Sequence, residues 1–472
     1  MRCSSLHGAV SYLSSPIMDV PRRLAAFLIL SCFLLYFLVH GSMTASLGEW
    51  MHRDDDVEIQ RDFSKYVHVK TILADEIGLE DPNRRIIIVG DIHGMNDSLH
   101  SLLSSIFYNP TTDTLFHTGD VVQKGPVSGS LSVLDFLSSS HIRGVRGNHD
   151  QNIIEWRTWM EWIKSLKGGL EWLDWVNRKF DKGELDDEEE RNMKKRRGKW
   201  WSRVPKGWRM FDDHYTIARQ MTGQHYQYLL SLPLVLHIPS QHLYIAHGGL
   251  LPYDPKRSVD HPKQPLANLP RIITRTAGSV NAVELDEESM RTAQEVDLLK
   301  KIPQNSDPWV ILNIRSVTRS GKISRDTDVG TPWAKMWNKT VKKCSGFEGA
   351  IKKGEKHDGL PCLPATVVYG HTASRGLDVH RWTVGLDSGC SHGDTLTALV
   401  VSGKDLASNS WKSRSLSEQT SLSMGFLPAG GGDQPFSVLE DADSADVAKR
   451  PKKIPFSDNG FGHLYSVKCH QP

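Results

Sequence analysis

Cysteine is scarce in this chain: six residues in 472, with no CxxC spacing among them. So few and so scattered, they argue against a disulfide framework and leave no thiolate to select one metal over another. Cys344 and Cys362 could pair in an oxidising lumen; free buried thiols are the equal alternative. Net charge is also small, at +2. No overall field argues for nucleic acid or an acidic partner; nucleic acid is not expected, and any anion specificity must come from local residues. With 39% hydrophobic and 24% charged residues, the chain has room for one large domain with insertions or two smaller ones.

One stretch lacks charge altogether. Arg22 and Arg23 precede "LAAFLILSCFLLYFLVH", Leu24 to His40. At about 17 residues it lies between a signal-peptide core and a full transmembrane helix. The reading is an uncleaved transmembrane signal anchor over 24–40, with 1–23 a cytosolic tail. The alternative is a cleaved signal, because "SMTAS" offers small residues. The arginine pair on the N-terminal flank places that end in the cytosol and the rest in a lumen. Asn338-Lys339-Thr340 is an acceptor triplet for glycosylation there.

Residues 41–84 read as a linker. Strand-like runs then recur: "RIIIVGD", "TLFHTGDVV", "IRGVRGNHD", "HLYIAHGG", "PWVILNIRS", "ATVVYGHT" and "WTVGLDSG". Helical patterns lie between them, which argues for an α/β sandwich or layered sheet over 85–403. A helical insertion at 152–224 carries Trp156, Trp159, Trp162, Trp172 and Trp175 at helical spacing, then "DDEEE" and "KKRRGK". Its aromatics are expected to pack on the domain with the charges solvated; a cap drawing in a polyanion is the sharper reading. Residues 404–455 read as disordered and 456–472 as a returning strand.

Several of these runs end in glycine and a metal-capable side chain. "GDIHG" presents Asp91 and His93, "GDVVQKGP" Asp120, "RGNHD" Asn148 and His149, "AHGG" His247 and "YGHT" His371. Hard and borderline oxygen and nitrogen donors on tight turns suit two divalent cations with one bridging carboxylate. Zn, Mn, Fe and Co all fit. A bridging water acidified to hydroxide would attack phosphorus in line, and His149 would protonate the leaving oxygen. His117, His141, His214, His225 and His242 read as ordinary core or surface histidines.

This ordered set resembles the calcineurin-like metallophosphoesterase superfamily, in its phosphoprotein-phosphatase branch. The resemblance implies a metallophosphoesterase β-sandwich flanked by helices. It further implies Asp91 and His93 on a first metal, Asp120 bridging, Asn148, His247 and His371 on a second, and His149 as general acid. Departures narrow it. Gln123 replaces the acid that supports the catalytic histidine in that branch, and Lys124 replaces a phosphate-gripping arginine with a point charge. Arg315 is expected as a second phosphate ligand at a strand end, with a structural role as the alternative. Arg146 and Tyr369 read more readily as structural. "GDxVxKGP", "GNHD" and "YGHTxSRGLD" look like the group that contains diadenosine tetraphosphatases and membrane-anchored vacuolar endopolyphosphatases.

The expected activity is therefore endopolyphosphatase action on a polyanionic phosphate substrate, from a membrane-anchored domain in a vacuolar or other endomembrane lumen. Alternatives are a diadenosine tetraphosphatase, a serine/threonine protein phosphatase and, in another class, a non-enzymatic lumenal scaffold.

Overall fold

The apolar run Ile86 to Val89 is buried on both of its faces, and that fixes the layering. Ile86 and Ile88 point one way, into a layer shared with Leu236, Ile245, Val368, Val384 and Leu399. Ile87 and Val89 point the other way, onto residues such as Leu99, Val133 and Trp156. A strand with period-two side chains can do this only between a second sheet and a cover of helices. Residues 61–184, 200–270, 286–348, 359–407 and 451–469 are described by the computed structural model, with the backbone of 273–276 and 279–282.

In chain order the strands of the two main sheets are β1 (Val67–Thr71), β2 (Arg85–Val89), β3 (Asp113–His117), β4 (Arg143–Gly144), β5 (Pro233–Ile238), β6 (Leu243–Ala246), β7 (Thr366–Tyr369), β8 (Asp378–Val379), β9 (Thr383–Gly385), β10 (Thr395–Ser402), β11 (Lys452–Phe456) and β12 (Gly460–Lys468). One six-stranded sheet runs β1-β5-β6-β7-β9-β8 and the other β11-β12-β10-β2-β3-β4. Within them β2, β3 and β4 are parallel, and so are β6, β7 and β9. This is the expected α/β sandwich.

The main helices are α1 (Asn96–Ser105), α2 (Val127–Ser139), α3 (Asn148–Ser165), α4 (Gly169–Asp181), α5 (Asp213–Gln220), α6 (Gly223–Ser231), α7 (Glu287–Lys301), α8 (Pro308–Asn313) and α9 (Trp333–Val341). The helical insertion is not set apart from the domain. α3 starts at Asn148, and Trp156, Trp159 and Ile163 belong to the same buried cluster as Ile87 and Leu99. The charged segment 185–199 lies outside the described residues, as does 24–40, where a membrane anchor was expected. Among the described residues no helix is long and apolar enough to cross a membrane.

Four expectations need correction. "PWVILNIRS" is helix α8 followed by two strand residues, Ser316–Val317. Pro308 opens the helix and the Asp307 side chain accepts from Trp309 N at 2.9 Å, a start signal that outweighs the apolar run. The two ends of 404–455 carry regular structure, a short helix at Gly403–Ala407 and β11 paired with β12 in a hairpin, while 408–450 lies outside the described residues. The Asn338 amide is engaged within α9, donating to Ala334 O at 2.9 Å and Thr383 Oγ1 at 2.8 Å while its oxygen accepts from Trp382 N. It is not presented for glycosylation. Cysteine pairing is more extensive than the count suggested, because Cys344–Cys362 and Cys390–Cys469 are both bridged.

The second bridge ties the loop after β9 to the end of β12, 79 residues later in the chain. Replacing both Cys390 and Cys469 by serine is expected to remove about 2–4 kcal/mol of stability in urea unfolding. An unchanged midpoint would show that packing alone holds the hairpin.

Candidate metal centre

Each chemistry-bearing turn follows a strand. Asp91 and His93 follow β2, Asp120 follows β3, Asn148 and His149 follow β4, His247 follows β6 and His371 follows β7. The C-terminal ends of parallel strands thus deliver them to one edge. His93, Asp120 and His371 have φ of 50°, 47° and 73°, the left-handed region that side chains with a Cβ rarely occupy. Such strain, of order 1–3 kcal/mol per residue, persists only where the surroundings impose it. Here the turns interlock. His93 N donates to Asp120 O at 2.9 Å, His149 N to Asp120 Oδ1 at 2.9 Å and His371 N to Asp91 Oδ2 at 2.9 Å. Glycine permits this closeness. A Cβ on Gly147 would fall 2.1 Å from Asp120 N, and one on Gly370 would fall 1.9 Å from Asp91 Oδ1.

Two ligand clusters result. Asp91, His93 and Asp120 form one; Asp120, His247 and His371 form the other. The donor atoms of each lie within 4.8 Å of one another. All five side chains are buried, and Asp120 is common to both. Its Oδ2 lies 3.4 Å from His247 Nε2, 3.8 Å from His93 Nε2 and 4.0 Å from His149 Nε2. His247 Nδ1 lies 2.9 Å from the Thr118 carbonyl and donates to it, which leaves Nε2 facing inward; Asn148 Oδ1 is 3.0 Å away.

The electrostatics fit cations. Burial raises the Asp91 carboxyl well above the usual range, and Asp387 and Asp120 add repulsion. Burial also pushes up Asp120, but His247 and then His149 outweigh it and hold that carboxyl well below the usual range. Asp150 is raised to about 7 by burial and by Asp120. Burial lowers the His93 imidazole to about 3 and His371 well below its ordinary value, so both are neutral, the state a metal ligand needs. His247 is raised to about 9: burial lowers it, but the Asp120 charge prevails. A metal bound there must displace that proton. The Nε2 of His371 is buried and takes no hydrogen bond, as suits a nitrogen reserved for an ion. The donor set fits two divalent cations, and no thiolate takes part.

Residues 84–313 match the calcineurin-like phosphoesterase family. The chain carries a calcineurin-like phosphoesterase domain. Symmetrical bis(5'-nucleosyl)-tetraphosphatases of Klebsiella pneumoniae (strain 342) and Salmonella typhimurium are each 45% identical to it over 69 residues, which is 14% of this chain. The matched stretch spans 24% of the length of those curated relatives. A solved candidate diadenosine tetraphosphatase is 24% identical with a TM-score of 0.37, covering 71% of this chain and 94% of its own. A serine/threonine phosphatase from Saccharomyces cerevisiae is 14% identical with a TM-score of 0.28, covering 72% and 76%.

Other groups sort around the phosphoesterase centre. Lys124 is exposed at its mouth, with Nζ 3.2 Å from His93 Nε2. Arg315, which follows α8 rather than a strand, donates to the carbonyls of His371 at 3.0 Å and Arg325 at 2.8 Å. Arg375 donates to Arg315 O. Asp150 joins two of the turns, accepting from Gly147 N at 2.8 Å and Val121 N at 3.0 Å. Arg146 is fully buried and spends its donors on Gln151 Oε1 and the carbonyls of Lys65, Leu229 and Leu230, a structural role. Tyr369 packs on Trp333 and donates to Asp378 Oδ2.

One residue read as ordinary is not. His214, at the start of α5, has Nε2 2.9 Å from His149 Nδ1. Gln123 takes no part: its Oε1 is buried without a hydrogen bond. The signal available in the sequence was "DDH", an acid two positions before a histidine at a helix start.

Because Asp120 belongs to both clusters, Asp120→Asn is expected to empty both sites, whereas His371→Ala should leave one ion of two. Elemental analysis of protein reconstituted with Mn²⁺ measures this. Two retained ions in Asp120→Asn would contradict a shared carboxylate.

Proposed function

We propose that the chain is a metal-dependent phosphoanhydride hydrolase whose substrate is inorganic polyphosphate. The observation that carries this reading is the Asp120 carboxylate common to two ligand clusters, with His149 Nε2 4.0 Å from it. Bound divalent ions would supply Lewis acidity at the phosphoryl oxygens and lower the pKa of water. The residues present suit Zn, Mn, Fe or Co alike.

The chain's own groups support the rest. Lys124 and Arg315 stand beside the ligands with positive charge for the flanking phosphates of a polyanion. Burial keeps the resting His149 imidazole down at about 4, against the pull of Asp120. An arriving phosphate adds negative charge, which favours its protonated form. A water oxygen forms the new bond to phosphorus as the scissile P–O bond opposite it breaks. A proton on His149 Nε2 passes to the leaving oxygen, and the proton lost by the water restores the one on His149. Two disulfides suit an oxidising compartment, which supports a lumenal placement; a vacuolar site and membrane attachment through 24–40 belong to the same proposal.

A dinucleoside tetraphosphate is the second reading, favoured by the 45% identity to bis(5'-nucleosyl)-tetraphosphatases. Mn²⁺-loaded protein offered long-chain polyphosphate, diadenosine tetraphosphate and a phosphopeptide should show its highest kcat/KM on polyphosphate, with chains shortening on a gel. Preference for the dinucleotide would establish the second reading, and action on the phosphopeptide alone would overturn both. Lys124→Ala and Arg315→Ala should each lower kcat/KM about 10- to 100-fold, the cost of one charge-assisted hydrogen bond. Unchanged values would remove them from the substrate site.

A further inference from the structure

We infer that His214, which Asp212 faces, is the positioning residue for His149, replacing the acid that Gln123 displaces. This rests on the hydrolase reading for its consequence but on local geometry for its existence. His149 Nδ1 and His214 Nε2 are 2.9 Å apart. The two ring planes differ by 2° with centroids 5.1 Å apart. Coplanar rings at that separation, with nitrogens in contact, are joined edge to edge by an in-plane hydrogen bond. They are not stacked face to face.

The direction of that bond follows from the other end. Asp212 Oδ2 lies 3.6 Å from His214 Nδ1. Asp212 cannot swing freely, because its Oδ1 caps α5 by accepting from Tyr215 N at 2.9 Å. A fixed carboxylate favours a proton on the ring nitrogen that faces it, here Nδ1 of His214. In that tautomer Nε2 of His214 is bare, and His149 Nδ1 is the donor. With its resident proton committed to Nδ1, His149 keeps Nε2 for the centre. That nitrogen faces Asp120 and is the one able to take in a proton and release it to a leaving oxygen.

The line Asp212–His214–His149 does the work of a single acid through a longer reach. The helical segment that carries it is therefore part of the site. α5 packs against α3, whose first turn holds both Asn148 and His149. Gln123 cannot serve instead. Its side-chain oxygen is buried without a partner, and its backbone N donates to Ser130 Oγ.

The first test needs no turnover. Nitrogen-15 NMR of the histidine rings in the full chain should show His149 Nδ1 protonated in the wild type and a mixture of tautomers in His214→Ala. An unprotonated Nδ1 in the wild type overturns the inference. The second test is kinetic, on Mn²⁺-loaded protein with phenyl phosphate, a poor leaving group, and 4-nitrophenyl phosphate, a good one. His214→Ala should lower kcat on phenyl phosphate about 10- to 100-fold with KM within about twofold, and at least about tenfold less on the nitrophenyl ester. His214→Gln, whose amide oxygen can accept from Nδ1–H, should recover most of the loss, and its unfolding midpoint guards against misfolding. Equal losses on both esters, or no rescue, would reduce His214 to a packing residue. A wild-type chain inert on every phosphate while His149 Nδ1 is protonated would overturn the hydrolase reading and leave the positioning intact.

Discussion

The structure depends on keeping several carboxylates dry and close together. Asp91, Asp120, Asp150 and Asp387 are all nearly inaccessible to solvent, around a site that one exposed lysine approaches from the mouth. Burying unpaired negative charge is costly, and no folded chain concentrates it without something to offset it. Part of the offset is internal: Asp150 accepts two backbone N–H groups, Asp91 accepts from Thr118 Oγ1 and His371 N, and Asp120 pairs with His247. The rest is the role open to divalent cations. Strain points the same way. Left-handed backbone at His93, Asp120 and His371 is tolerated because these turns hydrogen-bond to one another and not only within themselves.

The sandwich supplies the rigidity that this needs. Alternating side chains of β2, β6 and β7 lock one sheet onto the other, while their opposite faces are covered by helices and by α9 with Trp333 and Trp337. Ligands from both sheets therefore meet across a fixed gap. The Arg146 fan of hydrogen bonds and the Glu295 bridge to His237 and His242 brace the regions behind the site. These are structural investments in places where no chemistry occurs.

Much of the centre was legible because each ligand lies in a short run that announces itself: an apolar strand, a glycine, a donor. Period-two burial then follows from the same residues. What was not legible depended on distance or on competing signals. "PWVILN" suits strand or helix by hydrophobicity, and the Asp307–Pro308 start decides for helix. The returning strand near the C-terminus was expected, but the Cys390–Cys469 bridge joins residues 79 apart in sequence, and nothing local foretells that pairing. His117, His225 and His242 are tied to Tyr228, Asp135 and Glu295, as ordinary structural histidines would be. His214 has no glycine beside it and no strand before it. Its meaning appears only when α5 is laid against α3 and the missing acid at Gln123 is noticed.

The claim on which the rest turns is that one carboxylate spans two neighbouring cations. Electron paramagnetic resonance of the protein carrying two Mn²⁺ ions tests it directly, because ions joined through Asp120 are close enough for their spins to couple. A spin-coupled multiline spectrum is predicted. The six-line spectrum of isolated Mn²⁺ at full occupancy would contradict it.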